Sequence, residues 1–333
     1  MAHTTHFLYL SAAGLVCLSD DGRGLAQGPS FEGNFELDDQ GHSIHQALSQ
    51  WLIEHRRNTF VLIVDVSEEE FAIEQVPTLG RSDQLAVIRR RLSQKFREAR
   101  LQQWTILKQS TGKFFSRTKD TERQVRVLMS GVARDSVIYA WLHTLEQSKI
   151  AVRSVVSPAL LAHRLMLKQL KGTSAMIVSW SPTGLRQTVT LKGEVRFTRL
   201  AAQLPSVGIA AVQTECLRTI QYLLMSQQVS RDDLRSIGLP IWILEGGIAG
   251  LDQAPARLAV DTSVELPLGV IPAIASLTQA SAALGSLASW CAVESFPVVP
   301  GSQRRGYASQ ALLRGYRVRL FERWFFQIGR AHV

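Results

Sequence analysis

One pattern is written twice in this chain, and it limits the folds available to it. Residues 7–10, 14–19 and 25–31 are three short runs separated by turns at Gly14 and at DDGRG, 20–24. Runs of this kind are strands joined by tight turns. HSIHQALSQWLIEHRR at 42–57 follows, with Ile44, Leu48, Trp51 and Leu52 at helical spacing and Ser43 as candidate N-cap. FVLIVDV at 60–66 is then continuously apolar, the mark of a strand buried on both faces. The second copy runs AMIVSW at 175–180, LRQTVTLK at 185–192, EVRFTRLA at 194–201, a helical stretch at 207–227 and IWILEGG at 241–247. Three meandering strands, a helix and a buried strand, repeated, predict an α/β chain of two similar lobes, each a mixed sheet flanked by helices.

Residues 68–126 break the pattern. FAIEQVP reads as a strand closed by Pro77, and SDQLAVIRRRLSQKFREAR as a helix capped by Ser82 with Leu85, Ile88, Leu92 and Phe96 as its apolar stripe. WTILKQ at 104–109 reads as a strand, and STGKFFSRTKDTERQ as a polar, basic hairpin tip or loop. VRVLMSGV at 125–132 is a buried strand, 135–149 a helix, VRSVVSP a strand and 159–170 a helix. The expected division is a first lobe over 1–170 holding an inserted basic subdomain at 68–126, and a second lobe over 171–300 ending in a helix at 273–290. A basic segment at 301–327 and a separate tail at 328–333 complete the chain.

With 46% hydrophobic and 20% charged residues, the chain can bury a large core and is not disordered throughout. Cys17, Cys216 and Cys291 lie far apart without CxxC spacing, so they read as buried small hydrophobes rather than a metal site or disulfide framework. The net charge of +9 is uneven. Residues 81–126 hold thirteen Lys/Arg against Asp83, Glu98, Asp120 and Glu122, a local charge of +9; residues 301–330 hold seven Arg against Glu322, or +6. The remainder is net −6, so the basicity forms two patches on an acidic body, which favours a local partner surface over general nucleic-acid binding.

The last residues, IGRAHV, can be back-translated as ATC GGA AGA GCA CAC GTC, the start of a common sequencing adapter, and are read as a cloning or sequencing scar. Ahead of them Arg314, Arg317, Arg319 and Arg323 precede Trp324, Phe325 and Phe326. A basic cluster followed by interfacial aromatics is how a chain approaches a bilayer from the cytoplasmic side. The expectation is that the natural protein continues past Gln327 into a membrane anchor. An amphipathic helix built on Leu312, Leu313, Tyr316, Leu320 and Trp324 is the plainer alternative. No stretch in the sequence reaches the ~18–20 apolar residues of a spanning helix, and the N-terminus lacks the basic region of a signal peptide.

Four stretches carry a family likeness: MIVSWSPTGLRQTVTLKGEVRFTRL at 176–200, SVVSPALLAHRL, IWILEGGIAG, and the basic run into an aromatic end. Together with the duplicated lobes they resemble the actin-like (ribonuclease H-like) cytoplasmic domains of type IV pilus and type II secretion assembly proteins, of the PilM and GspL kind. The resemblance implies a two-lobed fold with a phosphate hairpin opening each lobe, placed at the cytoplasmic face of the bacterial inner membrane. The departures are informative. Where active members carry an Asp-Gly turn the first hairpin reads YLSAAGLVCL, and where the second carries Asp this chain has Ser179, Trp180, Ser181 and Pro182. Pro182 removes a backbone N–H and Trp180 adds bulk, so a degenerate nucleotide cleft is expected, keeping Gly246, Gly247, Thr183 and Gly184.

The function implied is a non-enzymatic scaffold, a pseudo-ATPase that recruits protein partners of a pilus or secretion platform, with no cofactor, no metal and no nucleic acid; a homodimer is allowed. Arg89, Arg90, Lys95 and Arg97 are the partner-binding candidates, and Arg314, Arg317, Arg319, Arg323 and Trp324 the membrane-proximal ones. Two alternatives stay open: an ATP/Mg-binding actin-like ATPase or kinase, and a nucleic-acid module using the 81–126 patch with Trp104, Phe114 and Phe115 among its basic residues. His42, His45, Glu54 and His55 lack the i, i+4 pairing of a helical metal site. Asp65 reads as a strand-end turn residue, and Glu68, Glu69 and Glu70 as a solvated loop.

Overall fold

The computed structural model describes residues 4–11, 14–20, 25–32, 39–107, 124–133, 136, 138–158, 174–181, 183–191, 194–201, 207–244 and 248–271. The chain opens with β1 (Thr5–Ser11), β2 (Gly14–Asp20), β3 (Leu25–Glu32), helix α1 (Asp39–Glu54) and β4 (Thr59–Asp65). The insertion is β5 (Glu69–Pro77), α2 (Arg81–Lys95), β6 (Ala99–Ile106) and β7 (Gln124–Ala133); α3 (Ile138–Gln147) and β8 (Ala151–Val156) return to the first lobe. The second lobe contains β9 (Ala175–Ser181), β10 (Gly184–Leu191), β11 (Glu194–Ala201), the short β12 (Val207–Gly208) and α4 (Ile209–Met225). It continues through α5 (Arg231–Ile237), β13 (Ile241–Leu244), the short β14 (Ile248–Ala249), β15 (Arg257–Asp261) and β16 (Val264–Ile271).

The duplication expected from the sequence is present in the strand order. The first lobe runs β3-β2-β1-β4-β8 and the second β11-β10-β9-β13-β16, with β15 added at the edge. In both, the opening hairpins are antiparallel, while the central strand pairs in parallel with the strand that follows the crossover helix. This is the actin-like α/β architecture, with a small subdomain inserted in the first lobe. The insertion is its own three-stranded sheet, β5-β7-β6.

Each unit has its own core. In the first lobe Leu8, Leu10, Phe60, Leu62 and Val64 pack against Leu48 and Leu52 of α1 and Trp141 and Leu145 of α3. In the second, Met176, Val178, Leu185 and Val189 pack against Val212, Cys216, Ile220 and Leu223 of α4. In the subdomain Ile88, Leu92 and Phe96 close over Val76, Val127 and Met129. Burying such side chains is the main favourable term of folding, at about 1.5–3 kcal/mol for each large one.

Several local expectations are corrected. Helix α1 begins at Asp39, so Ser43 lies inside it. Helix α2 is flanked by Gly80 with no side-chain cap, and the Ser82 hydroxyl turns to Asp83 at 3.3 Å. That helix ends at Lys95 rather than running on to 100, because Ala99–Ile106 is drawn into pairing with β7, with Leu101 opposite Val132. Tertiary pairing here overrides a good helical pattern. Helix α5 and the β15–β16 hairpin lie in segments for which the sequence pattern predicts no element. The helices expected at 159–170 and 273–290 lie outside the described residues.

His6, at the start of β1, is closed in by Trp51, His55 and Phe60, with ring centroids 5.1, 5.0 and 5.2 Å away. Its Nδ1 meets Ser19 Oγ at 2.8 Å and its Nε2 meets the Asn58 amide at 2.8 Å. Burial, and secondarily His55, pulls its pKa down to about 4. The unfolded chain, with an ordinary histidine near 6.5, takes up the proton first. Stability that is full above pH ~6.5 is therefore lost as pH falls toward ~4, by up to ~3 kcal/mol. Urea melts between pH 7 and 4 should show this loss, and a His6→Gln variant, less stable at neutral pH, should lose less over the same interval.

Candidate functional site

The lobes meet where their first hairpins turn. In the first lobe Ser11 pairs with Gly14, and the Ser11 hydroxyl donates to the Gly14 carbonyl at 3.4 Å. In the second Ser181 pairs with Gly184, and the Ser181 hydroxyl donates to the Gly184 carbonyl at 3.4 Å. Gly14 and Gly184 share a backbone conformation, φ +133° and +137°. A Cβ at Gly14 would lie 2.3 Å from the Phe31 carbonyl oxygen, so glycine is required there by space as well as by φ. The two hairpins are built to one backbone plan.

Their side chains are not. Strand β10 is buried at all eight positions, yet its third, fourth and fifth residues are Arg186, Gln187 and Thr188 rather than apolar residues. Arg186 lies opposite Ser179 and Leu200, on the sheet face turned away from the α4 core. It reaches the end of β4 in the other lobe, where it donates to one Asp65 carboxylate oxygen through Nε at 3.1 Å and Nη2 at 2.7 Å. Nη2 also donates to the Val66 carbonyl at 3.2 Å, and Nη1 lies 3.9 Å from the Glu69 carboxylate. The other Asp65 oxygen accepts from the Tyr9 hydroxyl. Thr183 donates to the Asp65 backbone carbonyl at 3.1 Å.

Asp65 is 0% exposed and Arg186 3%. Burial alone would lower the guanidinium pKa, but Asp65 first, then Glu69 and Tyr9, outweigh it and hold Arg186 above its ordinary value. A buried carboxylate and a buried guanidinium are tolerated only when paired and hydrogen-bonded. The chemistry of the junction is therefore that of a closed ion pair. The Asp65 carboxylate oxygens face a cation and a phenol supplied by the protein itself.

Three sequence expectations are overturned here. Asp65 is a wholly buried charge linking the lobes, not a strand-end turn residue. Glu69 is not in a solvated loop: it starts β5 and is buried beside Arg186. Trp180, expected to crowd the cleft, pairs with Leu185 and packs against the second lobe's core; Arg186 and Thr183 fill the junction instead. Arg186 itself was missed. The available signal was a charged residue in a strand whose neighbours on both sides are strands, a position that demands a buried partner.

Of the other candidates, Arg89, Arg90, Lys95 and Arg97 are exposed on α2 and the turn after it. Arg91 is not one of them: it folds back on β5, donating to the Gln75 carbonyl and lying 3.5 Å from Glu74. Thr183 and Gly184 stand at the junction, while Gly246, Gly247, Arg314, Arg317, Arg319, Arg323 and Trp324 lie outside the described residues. Among the described residues no group of His, Cys, Asp and Glu could hold a metal, and no helix is long and apolar enough to cross a membrane. Beside the junction a groove of about 770 Å³ opens between the subdomain and the second lobe, lined by Glu69, Phe71, Ile73, Val195, Phe197 and Tyr222 among others.

No family model and no curated protein matches the chain. Among solved structures it is similar to the cytoplasmic domain of EpsL, an inner-membrane component of the type II secretion system of Vibrio cholerae. That match has 13% identity and a TM-score of 0.48, covering 89% of this chain and 96% of that one. It is also similar to the PilM–PilN type IV pilus biogenesis complex, at 13% identity and a TM-score of 0.48, over 96% of this chain and 98% of that one. A Bacteroides thetaiotaomicron protein with an actin-like ATPase fold and unknown function matches at 10% identity and a TM-score of 0.43, over 76% and 85%. The duplicated strand order described above supports the fold independently of these likenesses.

Arg186→Ala would leave Asp65 buried without its cation, and chemical denaturation should show a loss of about 3–5 kcal/mol. Replacing both charges, as Asp65→Asn with Arg186→Met, should cost less than that single change, since no uncompensated charge remains.

Proposed function

We propose that this chain is a non-enzymatic scaffold domain at the cytoplasmic face of a bacterial inner membrane. In this reading it recruits proteins of a pilus or type II secretion-like assembly platform and carries a degenerate nucleotide cleft. The observation that carries the proposal is the Asp65–Arg186 pair between the two hairpins. A magnesium–nucleotide site needs hard oxygen ligands free to face the metal and open backbone N–H groups around the phosphates. The residues present do not fit that group. The strand-end carboxylate is taken up by Arg186 and Tyr9, the Thr183 hydroxyl by the Asp65 carbonyl, and the hairpin turns contribute serines. Thr183, Gly184, Gly246 and Gly247 are read as remnants of a cleft that no longer binds.

The partner surface in this reading is α2. Its exposed Arg89, Arg90 and Lys95, with Arg97 beyond, form a cationic face on a rigid helix anchored by Ile88 and Leu92. Such a face steers an acidic partner and sets its register. Arg314, Arg317, Arg319, Arg323 and Trp324 would bring the domain to the membrane.

Titration calorimetry with Mg-ATP should show no binding tighter than a Kd of ~10 µM, about 7 kcal/mol. A tighter site would replace the scaffold with the ATP-binding reading.

The combined Arg89→Glu, Arg90→Glu and Arg97→Glu variant should keep its fold, since exposed substitutions cost within ~0.5 kcal/mol each. It should no longer co-purify with the assembly-platform protein that the unmutated domain captures. If instead the unmutated domain shifts random duplex DNA at physiological salt, with affinity falling by about 0.9 log units per phosphate contact, and the variant does not, the nucleic-acid reading prevails.

A further inference from the structure

We infer that the Asp65–Arg186 bridge is a bolt that holds the two lobes at one fixed angle. The inference stands on the geometry of the junction and is independent of what the protein recruits.

Four hydrogen bonds cross between the lobes within a few residues. Three run from Arg186 to Asp65 and Val66, at 3.1, 2.7 and 3.2 Å, and one from Thr183 to the Asp65 carbonyl at 3.1 Å. Glu69, 3.9 Å from the same guanidinium, ties the subdomain's first strand to the same point. The second lobe also meets the subdomain through apolar contact, Val195 against Leu128, Phe71 and Ile73, beside the open groove. Apolar contact is non-directional and lets surfaces slide. The bridge does not.

The angular preference comes from dehydration. A rotation that lengthens the Arg186–Asp65 contacts by an ångström or so breaks them before water can enter, leaving two charges both buried and unpaired. Only a wide opening rehydrates them. Intermediate angles are therefore the unfavourable ones, and the closed angle is a narrow well even though the pair adds little to overall stability. Arg186 is well made for this, because its planar fork addresses a carboxylate and a backbone carbonyl at once.

The test is a distance distribution by pulsed electron spin resonance. Labels are placed through Gln46→Cys on α1 and Gln221→Cys on α4, both exposed. Cys17 and Cys216 are buried, and Cys291 is replaced by Ser. The otherwise unmutated protein should give one narrow distribution, and Arg186→Lys, which keeps the charge, should stay close to it. The Asp65→Asn/Arg186→Met double variant, with no charge to strand, should broaden it. A double variant that melts cooperatively and keeps the narrow distribution would overturn the bolt, as would a broad distribution before mutation. If that double variant does not fold, Asp65→Asn with Arg186→Gln, which also strands no charge and keeps polar groups at both positions, decides the question the same way.

Discussion

A carboxylate with no exposure to solvent, Asp65, sits where the two lobes meet, and the other features of the junction follow from pairing it. Asp65 ends a strand in which Phe60 to Val64 are all apolar and buried. Its own lobe supplies one hydroxyl, that of Tyr9. The compensating charge comes from the other lobe, and Arg186 is in turn buried in a strand of its own that offers it no counter-ion. Each lobe thus carries a group that is costly to bury alone and acceptable when the two ends meet.

The lobes are alike in backbone and unlike in chemistry. Counting from the turn glycines, Arg186 in β10 corresponds to Val16 in β2, and both positions are buried. One copy of the hairpin therefore presents an aliphatic side chain where the other presents a guanidinium. The shared plan, Ser11 with Gly14 and Ser181 with Gly184, is a matter of turn geometry and survives any choice of neighbouring side chain. The asymmetry is what converts two similar sheets into complementary partners.

Much of the fold was legible in the sequence because it rests on local pattern. The duplicated meander, α1, α4 and the buried β4 follow from period and turn residues, and their ends fall within a few positions of expectation. The errors arose where a distant partner decides. Phe96 to Arg100 look like the end of a helix until β7 is there to pair with the strand that starts at Ala99. Glu69 looks solvated in the run Glu68-Glu69-Glu70 until Arg186 arrives from more than a hundred residues away. The absence of acidic residues from the hairpin turns was readable directly. What occupies the space between them was not, because the identity of Arg186's partner is a property of lobe packing.

Glu69 extends the reach of the junction beyond the two lobes. It is the first residue of β5, whose outward-facing Phe71 and Ile73 line the groove and whose Glu74 and Gln75 carbonyl receive Arg91 from α2. A continuous set of packed contacts therefore runs from the guanidinium of Arg186 through β5 to the helix that presents Arg89 and Arg90 to solvent. This is continuity of geometry, which by itself carries no signal. It does mean that the width of the groove and the placement of the cationic helix are referred to the same buried charge. A surface held in that way is presented in one arrangement, which limits the ordering entropy a docking partner would otherwise have to overcome.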